Sequence, residues 1–361
     1  MRVAHVHRIS GIGGSERHLL TLLPALRAHG VEPAFVGLDT GGKEAERFYA
    51  ALETAGVPAT RVPATRDLDP TLPIRLARAL RSHRPDVVHT HLVHADVYGA
   101  LAAARLRLPL FSTKHNDDRF RAGPFRHVER LLARRATRIL AITEALRRFC
   151  VERVGLPAGK IEVVHYGLDE PPPAWGPNPD LQLPADARLV VAVARLVEQK
   201  GLDVAVRALQ AIRAEHPQAV LVVAGEGPER ARLEALAGEL GVRDALVLPG
   251  RAGDVAALLR RADVFVHPAR WEGFGLVLLE AMLASLPVVA TRVSSVPEIV
   301  VDGETGVLVE PERPDLLADA VSSLLRDGER RRTLGAAGHE RARREFSVER
   351  MAARTAALYG V

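Results

Sequence analysis

The stretch Asp263-Val264-Phe265-Val266-His267-Pro268, then Arg270-Trp271-Glu272-Gly273-Phe274-Gly275 and an apolar run from Leu276 to Leu286, constrains the fold most. Its first apolar run, ended by Pro268, has the composition of a strand. The glycines make a turn, and the run beyond them has the length of a helix. Strand, turn and helix in that order belong to an α/β class with parallel sheets. The turn aims the free N–H groups of a helix N-terminus at open space, which suits an anion. Glu280 is the only charge in the apolar run. A buried lone carboxylate is costly unless something pairs with it.

Glu272 and Glu280 lie eight residues apart, roughly 12 Å at helical rise. Two carboxylates that far apart do not serve one bond as acid and base. They could hold opposite ends of an elongated ligand with a negative middle at Phe274-Gly275-Leu276, as a sugar nucleotide has. Spacing alone leaves a second reading open: Glu272 as a helix N-terminal charge and Glu280 as one half of a core ion pair.

The 361 residues, 47% of them hydrophobic, suffice for two domains of about 150–180 residues each. The single cysteine, Cys150, excludes an intramolecular disulfide and suits a reducing compartment. A strand over Val3–Val6 starts at once, so no secretory signal is expected, and no long uncharged stretch suggests a membrane span. The expected location is the cytoplasm. Residues 1–168 carry 26 Lys and Arg against 16 Asp and Glu, whereas the remainder carry 23 against 28. A basic half can bind nucleic acid. Aromatics are only 4% and no nucleic-acid motif appears, so none is expected.

A second glycine-rich strand-to-helix turn is Ser10-Gly11-Ile12-Gly13-Gly14-Ser15-Glu16. Alone it is a weak signal, equally explained by close packing of helix on strand. Asp67-Leu68-Asp69 reads as a loop without a metal role. His83, His89, His91 and His94 invite a metal reading. His89 and His91 share one strand face, but no cysteine or nearby carboxylate completes a site. His115 ends the strand from Leu110, where parallel sheets bind ligands. Arg195 and Lys200 follow the strand Leu189–Ala194, and two cations there suit a diphosphate. Val247–Arg251 is a further expected strand. Residues 171–179, with five prolines, cannot be helix or central strand, so 169–184 is the expected linker. Residues 1–168 then form one domain and 185–345 a second, with 346–361 a last helix. The helix 125–135 is strongly basic. Arg126, Arg130 and Arg134 recur at i,i+4 and form a stripe, with Val128, Leu131 and Leu132 expected to pack inward.

The Glu272…Glu280 pair is followed by Ala281-Met282-Leu283-Ala284 and Leu286-Pro287-Val288-Val289-Ala290-Thr291, then by Val296-Pro297-Glu298-Ile299-Val300 and Gly303-Glu304-Thr305-Gly306. This ordered set resembles the signature of retaining glycosyltransferase family 4, and the likeness runs over nearly the whole chain. It implies the GT-B fold, two Rossmann-like domains with parallel sheets facing across a cleft, in which the last helix, 346–361, crosses back to pack on the first domain. The implied reaction is sugar transfer, with retention, from a nucleotide sugar to a hydroxyl of a lipid-linked or glycan acceptor in cell-surface polysaccharide or glycolipid synthesis. UDP is the commonest family choice and GDP is possible. Neither metal nor cofactor is implied.

By the same resemblance, Arg195, Lys200 and the amides of Phe274, Gly275 and Leu276 hold the departing diphosphate. Glu272 and His115 touch the donor sugar, and Glu280 the ribose. Gly250 and Arg251 meet the base, Gly13 and Gly14 face the diphosphate, and Glu16 and His91 belong to the acceptor side. The chain departs from the family at Tyr166-Gly167, where Asn-Gly is usual, and at Ser294-Ser295, where Gly-Gly is usual. An epimerase or hydrolase on the same fold, or a non-catalytic partner that only binds nucleotide sugar, are the alternatives. The basic helix and the family's lipid-linked acceptors suggest peripheral contact with an anionic membrane.

Overall fold

A computed structural model describes the chain except Ser10, 170–180, Gln182, Ala185 and the side chain of Arg119. The proline-rich linker expected over 169–184 therefore lies mostly outside the described residues. The chain divides into two compact units, Met1–Gly167 with Ser347–Val361, and Leu168–Phe346.

The strands of the first unit are β1 (Arg2–Ile9), β2 (Glu32–Asp39), β3 (Ala59–Pro63), β4 (Val87–His91), β5 (Leu110–Lys114), β6 (Arg138–Ala141) and β7 (Ile161–Val163). Every pairing is parallel, in the order β3-β2-β1-β4-β5-β6-β7. Parallel neighbours need crossovers, and helices between successive strands supply them. The order reverses between β1 and β4, which makes their carboxyl ends the switch point where such sheets bind ligands.

Both faces of this sheet are covered, so its central strands are buried on both sides, with histidines of β1 and β4 among the apolar residues of one face. On one face Val3, Ile9, Phe35, Val87 and Phe111 pack with Leu19, Leu22 and Leu23 of the helix Gly14–Ala25, and with Met351, Ala352, Ala356 and Tyr359 of the helix Val348–Tyr359. On the other, Ala4, Val6, Val36 and Val88 pack with Leu72, Leu76 and Leu80. The last helix is capped by Ser347, whose Oγ accepts from the Arg350 N–H at 3.2 Å. Gly167 is required beneath it, because a Cβ there would lie 2.3 Å from the Ser347 carbonyl oxygen.

The strands of the second unit are β8 (Arg188–Val193), β9 (Ala219–Ala224), β10 (Leu246–Val247), β11 (Val264–His267), β12 (Val288–Thr291) and β13 (Gly306–Val309), in the parallel order β10-β9-β8-β11-β12-β13. Here the order reverses between β8 and β11. The expected strand over 247–251 is cut to Leu246–Val247. Pro249 has no N–H to give a ladder, and Gly250 takes φ +80. Among the described residues no helix is long and apolar enough to cross a membrane.

The basic helix spans Arg126–Arg135, and its faces differ from expectation. Val128 and Leu131 are 41% and 59% exposed instead of packed inward. Arg130 leaves the stripe: its Nε donates to the Val154 carbonyl at 2.8 Å. Leu132 packs against the core as expected, but the fully buried positions go to Glu129 and Ala133, because Glu129 is claimed by Arg121, at 2.6 and 2.9 Å.

Candidate active site

In the second unit the site grows from the ends of β8 and β11. Lys200 closes a short turn after β8, and Gly201 starts the helix Leu202–Glu215 at φ +59. A Cβ on Gly201 would lie 2.0 Å from the Pro268 carbonyl oxygen, so only glycine lets this turn rest against the end of β11. That approach brings residues 72 positions apart together. The Lys200 ammonium donates to Glu272 Oε2 at 2.5 Å. The last residue of β11, His267, donates from Nε2 to the same oxygen at 2.9 Å, and the Gly273 N–H reaches Oε1 at 3.1 Å. Burial alone would push the Glu272 carboxyl up. The Lys200 charge and the His267 hydrogen bond outweigh it and hold it at about 2.

The glycine turn is held from beneath. Ser295, fully buried, donates Oγ to the carbonyls of Glu272 and Phe274, at 3.0 and 3.2 Å. The neighbouring Ser294 takes φ +44, a conformation for which glycine is the easier residue. The serine pair thus keeps the backbone course a glycine pair allows and adds a clamp. Arg270 anchors the approach to the turn, with its two terminal guanidinium nitrogens donating to Asp203 at 3.0 and 2.9 Å. Gly275, at φ +91, caps the helix Leu276–Leu283, which buries Glu280 completely. The helix stops at Leu283, short of Leu286, where Ser285 turns to φ +54. Arg195 is exposed just beyond β8, and the Gly250 carbonyl accepts from the Gly225 N–H at 2.8 Å.

In the first unit the switch point carries histidines. Parallel register sets His5 of β1 beside His89 of β4, and His7 beside His91. Alternation puts all four on one face, and His115 follows two residues past Thr113 on that face, Thr113 being the partner of His91. His18 reaches the group from the helix above, stacked on Tyr166 at 4.2 Å between centroids. All six imidazoles are buried and all are held below the ordinary histidine value, chiefly by desolvation. His18 and His89 fall to about 3. Both ring nitrogens of His115 are occupied, Nε2 by His91 Nδ1 at 3.0 Å and Nδ1 by the Tyr166 hydroxyl.

His83 and His94 are not part of this group: His83 meets Thr60, and His94 meets Arg8 and Asp67. One nitrogen each of His5, His89 and His91 lie within 4.8 Å of one another, close enough for a metal to be considered. The geometry fits hydrogen bonds better. His5 Nδ1 and His91 Nε2 point at each other 3.0 Å apart, and both nitrogens of His89 face hydroxyls, of Tyr359 and Thr113. A tetrahedral ion instead needs three lone pairs turned to one centre about 2.0–2.1 Å away. Asp67 and Asp69 are likewise occupied, by Arg8 and by Thr71 and Arg75.

At the first glycine turn Glu16 faces back on its own helix N-terminus. Its Oε2 accepts from the Gly13 N–H at 2.9 Å and from Ser15 Oγ at 3.1 Å, while His7 Nε2 lies 3.1 Å from the same Oγ. Gly13 and Gly14 are exposed. A buried network fixes the segment after β5: Lys114 donates to Asp96 at 2.5 Å, and Arg121 donates to the Asn116 carbonyl at 2.5 Å.

Sequence reasoning missed His267, His5 and His7. The last two had a readable signal, His-x-His in β1 matching His-x-His in β4. His267 carried none, since its role depends on which turn folds against it.

Two family descriptions cover the chain, "Glycosyltransferase Family 4" over residues 12–170 and "Glycosyl transferases group 1" over 178–341. The chain is 32% identical over 337 residues to a GDP-mannose-dependent alpha-(1-6)-phosphatidylinositol monomannoside mannosyltransferase of Mycobacterium tuberculosis, covering 87% of this chain and 86% of that one. It is 34% identical over 275 residues to a D-inositol 3-phosphate glycosyltransferase of Mycobacterium bovis, covering 69% of this chain and 56% of that one. In fold it is similar to HepE of Anabaena, solved with UDP and glucose, at a TM-score of 0.83 and 20% identity over 100% of this chain and 99% of that one. The chain therefore belongs to glycosyltransferase family 4 and is a glycosyltransferase.

Proposed function

We propose that the enzyme moves a sugar from a nucleoside diphosphate sugar to a hydroxyl of a glycan or lipid-linked acceptor, with retention of anomeric configuration. The observation that carries this reading is the Lys200–Glu272–His267 cluster beside the glycine-capped helix that bears Glu280. An ionised Glu272 accepts sugar hydroxyls. Lys200, Arg195 and the amides of Phe274, Gly275 and Leu276 neutralise the departing diphosphate by charge and dipole, which needs no divalent metal. Glu280 takes the ribose hydroxyls, and Gly250 and Arg251 the base. Glu16 at its glycine turn serves the acceptor. No side chain is assigned as a covalent nucleophile. The acceptor attacks on the face the diphosphate leaves, and the leaving phosphate takes its proton.

The mannosyltransferase relative names GDP-mannose and HepE was solved with UDP, so the test carries both bases. Candidate donors are incubated with candidate acceptors, including phosphatidylinositol mannosides, and the product is read by proton NMR. The expected product keeps the donor's anomeric configuration and forms only when acceptor is present. Inverted product contradicts the same-face step, and donor consumed equally without acceptor supports a hydrolase.

The acceptor side includes contact with an anionic membrane through the helix Arg126–Arg135. Arg126, Arg134 and Arg135 are exposed beside Val128 and Leu131, and Phe120 just before it is 53% exposed. Apolar side chains among cations are the pattern of an interfacial helix.

A further inference from the structure

Three imidazoles and a phenol form one line: His5 Nδ1 to His91 Nε2 at 3.0 Å, His91 Nδ1 to His115 Nε2 at 3.0 Å, and His115 Nδ1 to the Tyr166 hydroxyl. The rings of His5 and His91 are tilted by only 17° with centroids 5.3 Å apart, and those of His91 and His115 by 35° at 5.2 Å. The rings therefore meet edge to edge, nitrogen facing nitrogen. Each such contact needs one N–H and one lone pair, and a neutral imidazole has one of each. Burial keeps the three rings neutral. Only two proton patterns then satisfy the line, with every N–H pointing toward Tyr166 or every N–H pointing toward His5.

The far end selects between them. His5 Nε2 is buried without a partner. If the protons ran toward His5, that atom would be an orphaned buried N–H, the rarer and costlier defect. If they run toward Tyr166, it is a bare lone pair. The other end permits this: burial, and then the charge of Glu16, push the Tyr166 phenol up, so it stays a neutral hydroxyl whose oxygen can accept from His115. His5 cannot pass a proton onward, so the line conducts none and acts as a lock.

We infer that His5 and His91 are positioning residues that hold His115 in the Nδ1–H tautomer, with that N–H given to Tyr166 and Nε2 filled by His91. This deepens the reading in which His115 serves the donor sugar: the ring enters the reaction only by opening one of these two contacts. It also gives Tyr166, where the family pattern has Asn, a partner that asparagine at this position would have to replace.

The test is 15N NMR of the full chain labelled on histidine, at neutral pH, with His115→Gln used to assign its signals. His115 should show a protonated Nδ1 and a bare Nε2. His5→Leu removes the terminal donor and should give His115 a mixture of tautomers. His5→Gln, whose amide can donate to His91 again, should restore the single form. Turnover should fall about fivefold to tenfold in His5→Leu, the factor one hydrogen bond carries, and recover in His5→Gln. A protonated Nε2 on His115 in the wild type overturns the lock, as does an unchanged tautomer in a folded His5→Leu. If His5→Leu does not fold, the wild-type spectrum alone decides. Full turnover in His115→Gln would remove its role at the sugar without touching the tautomer result.

Discussion

Glu272 and Glu280 belong to one turn and one helix, yet their losses should differ. Glu272→Gln should lower turnover with nucleoside diphosphate affinity unchanged, because in the proposed reaction its oxygens serve the sugar. Glu280→Gln should weaken the nucleoside diphosphate itself by about tenfold to a hundredfold, the range for a hydrogen bond to a charged group. Equal loss of nucleotide binding in both folded variants would contradict the assignment. Lys200→Met tests the pair from the other side. It strands a buried carboxylate, which costs about 3–5 kcal/mol, read as a lower urea midpoint. The sign follows from the Glu272 value of about 2. Its stabilisation is full above about pH 4.5, the unfolded value, and is lost as pH falls toward 2, so the variant should unfold at higher pH than wild type. The place of the two glutamates, one at the glycine turn and one in the apolar helix, was readable from the sequence. The Lys200–Glu272 contact was not, since a separation of 72 residues becomes 2.5 Å only when Gly201 lets two turns touch.

At the scale of elements, β1 and β4 carry a liability that follows from their histidines. The six buried imidazoles are held below the unfolded value of 6.5. The unfolded chain therefore binds more protons, and stability is full above pH 6.5 and falls as pH drops below it. At pH 5 His18 and His89, held at about 3, each cost about 2 kcal/mol, a large share of a domain stability of about 5–15 kcal/mol, and the other four act in the same direction. Circular dichroism against pH should show the first unit melting between about pH 6.5 and 5. A flat stability over that range contradicts the neutral, buried assignment. The strands and most helices were readable from period and glycine punctuation. The face of the helix Arg126–Arg135 was not, because the pull of Arg121 on Glu129 rotates it and turns Val128 and Leu131 outward. That rotation sharpens the membrane reading. Co-sedimentation should favour anionic over neutral liposomes. Arg126→Glu with Arg134→Glu, or Leu131→Ser alone, should weaken it, since each Arg contributes about 1 kcal/mol at an anionic surface. Equal binding to both lipids would remove this helix as the contact.

For the whole molecule, the two parallel sheets were legible because strand and helix signals alternate along the entire chain. The whole histidine group at the β1–β4 switch point was not, beyond the two His-x-His strands, since its six rings come from four separate segments and meet only through register. Both sheets reverse order beside their candidate groups, β1 and β4 with the histidines, β8 and β11 with Lys200 and Glu272. The central claim is that the second unit binds a nucleoside diphosphate with its own cations and helix amides. Isothermal titration calorimetry of UDP and of GDP, with and without EDTA, measures this most directly. At least one should bind with the same affinity in both buffers, and that binding should weaken in Glu280→Gln. Binding that collapses in EDTA, or is indifferent to Glu280, would contradict the account.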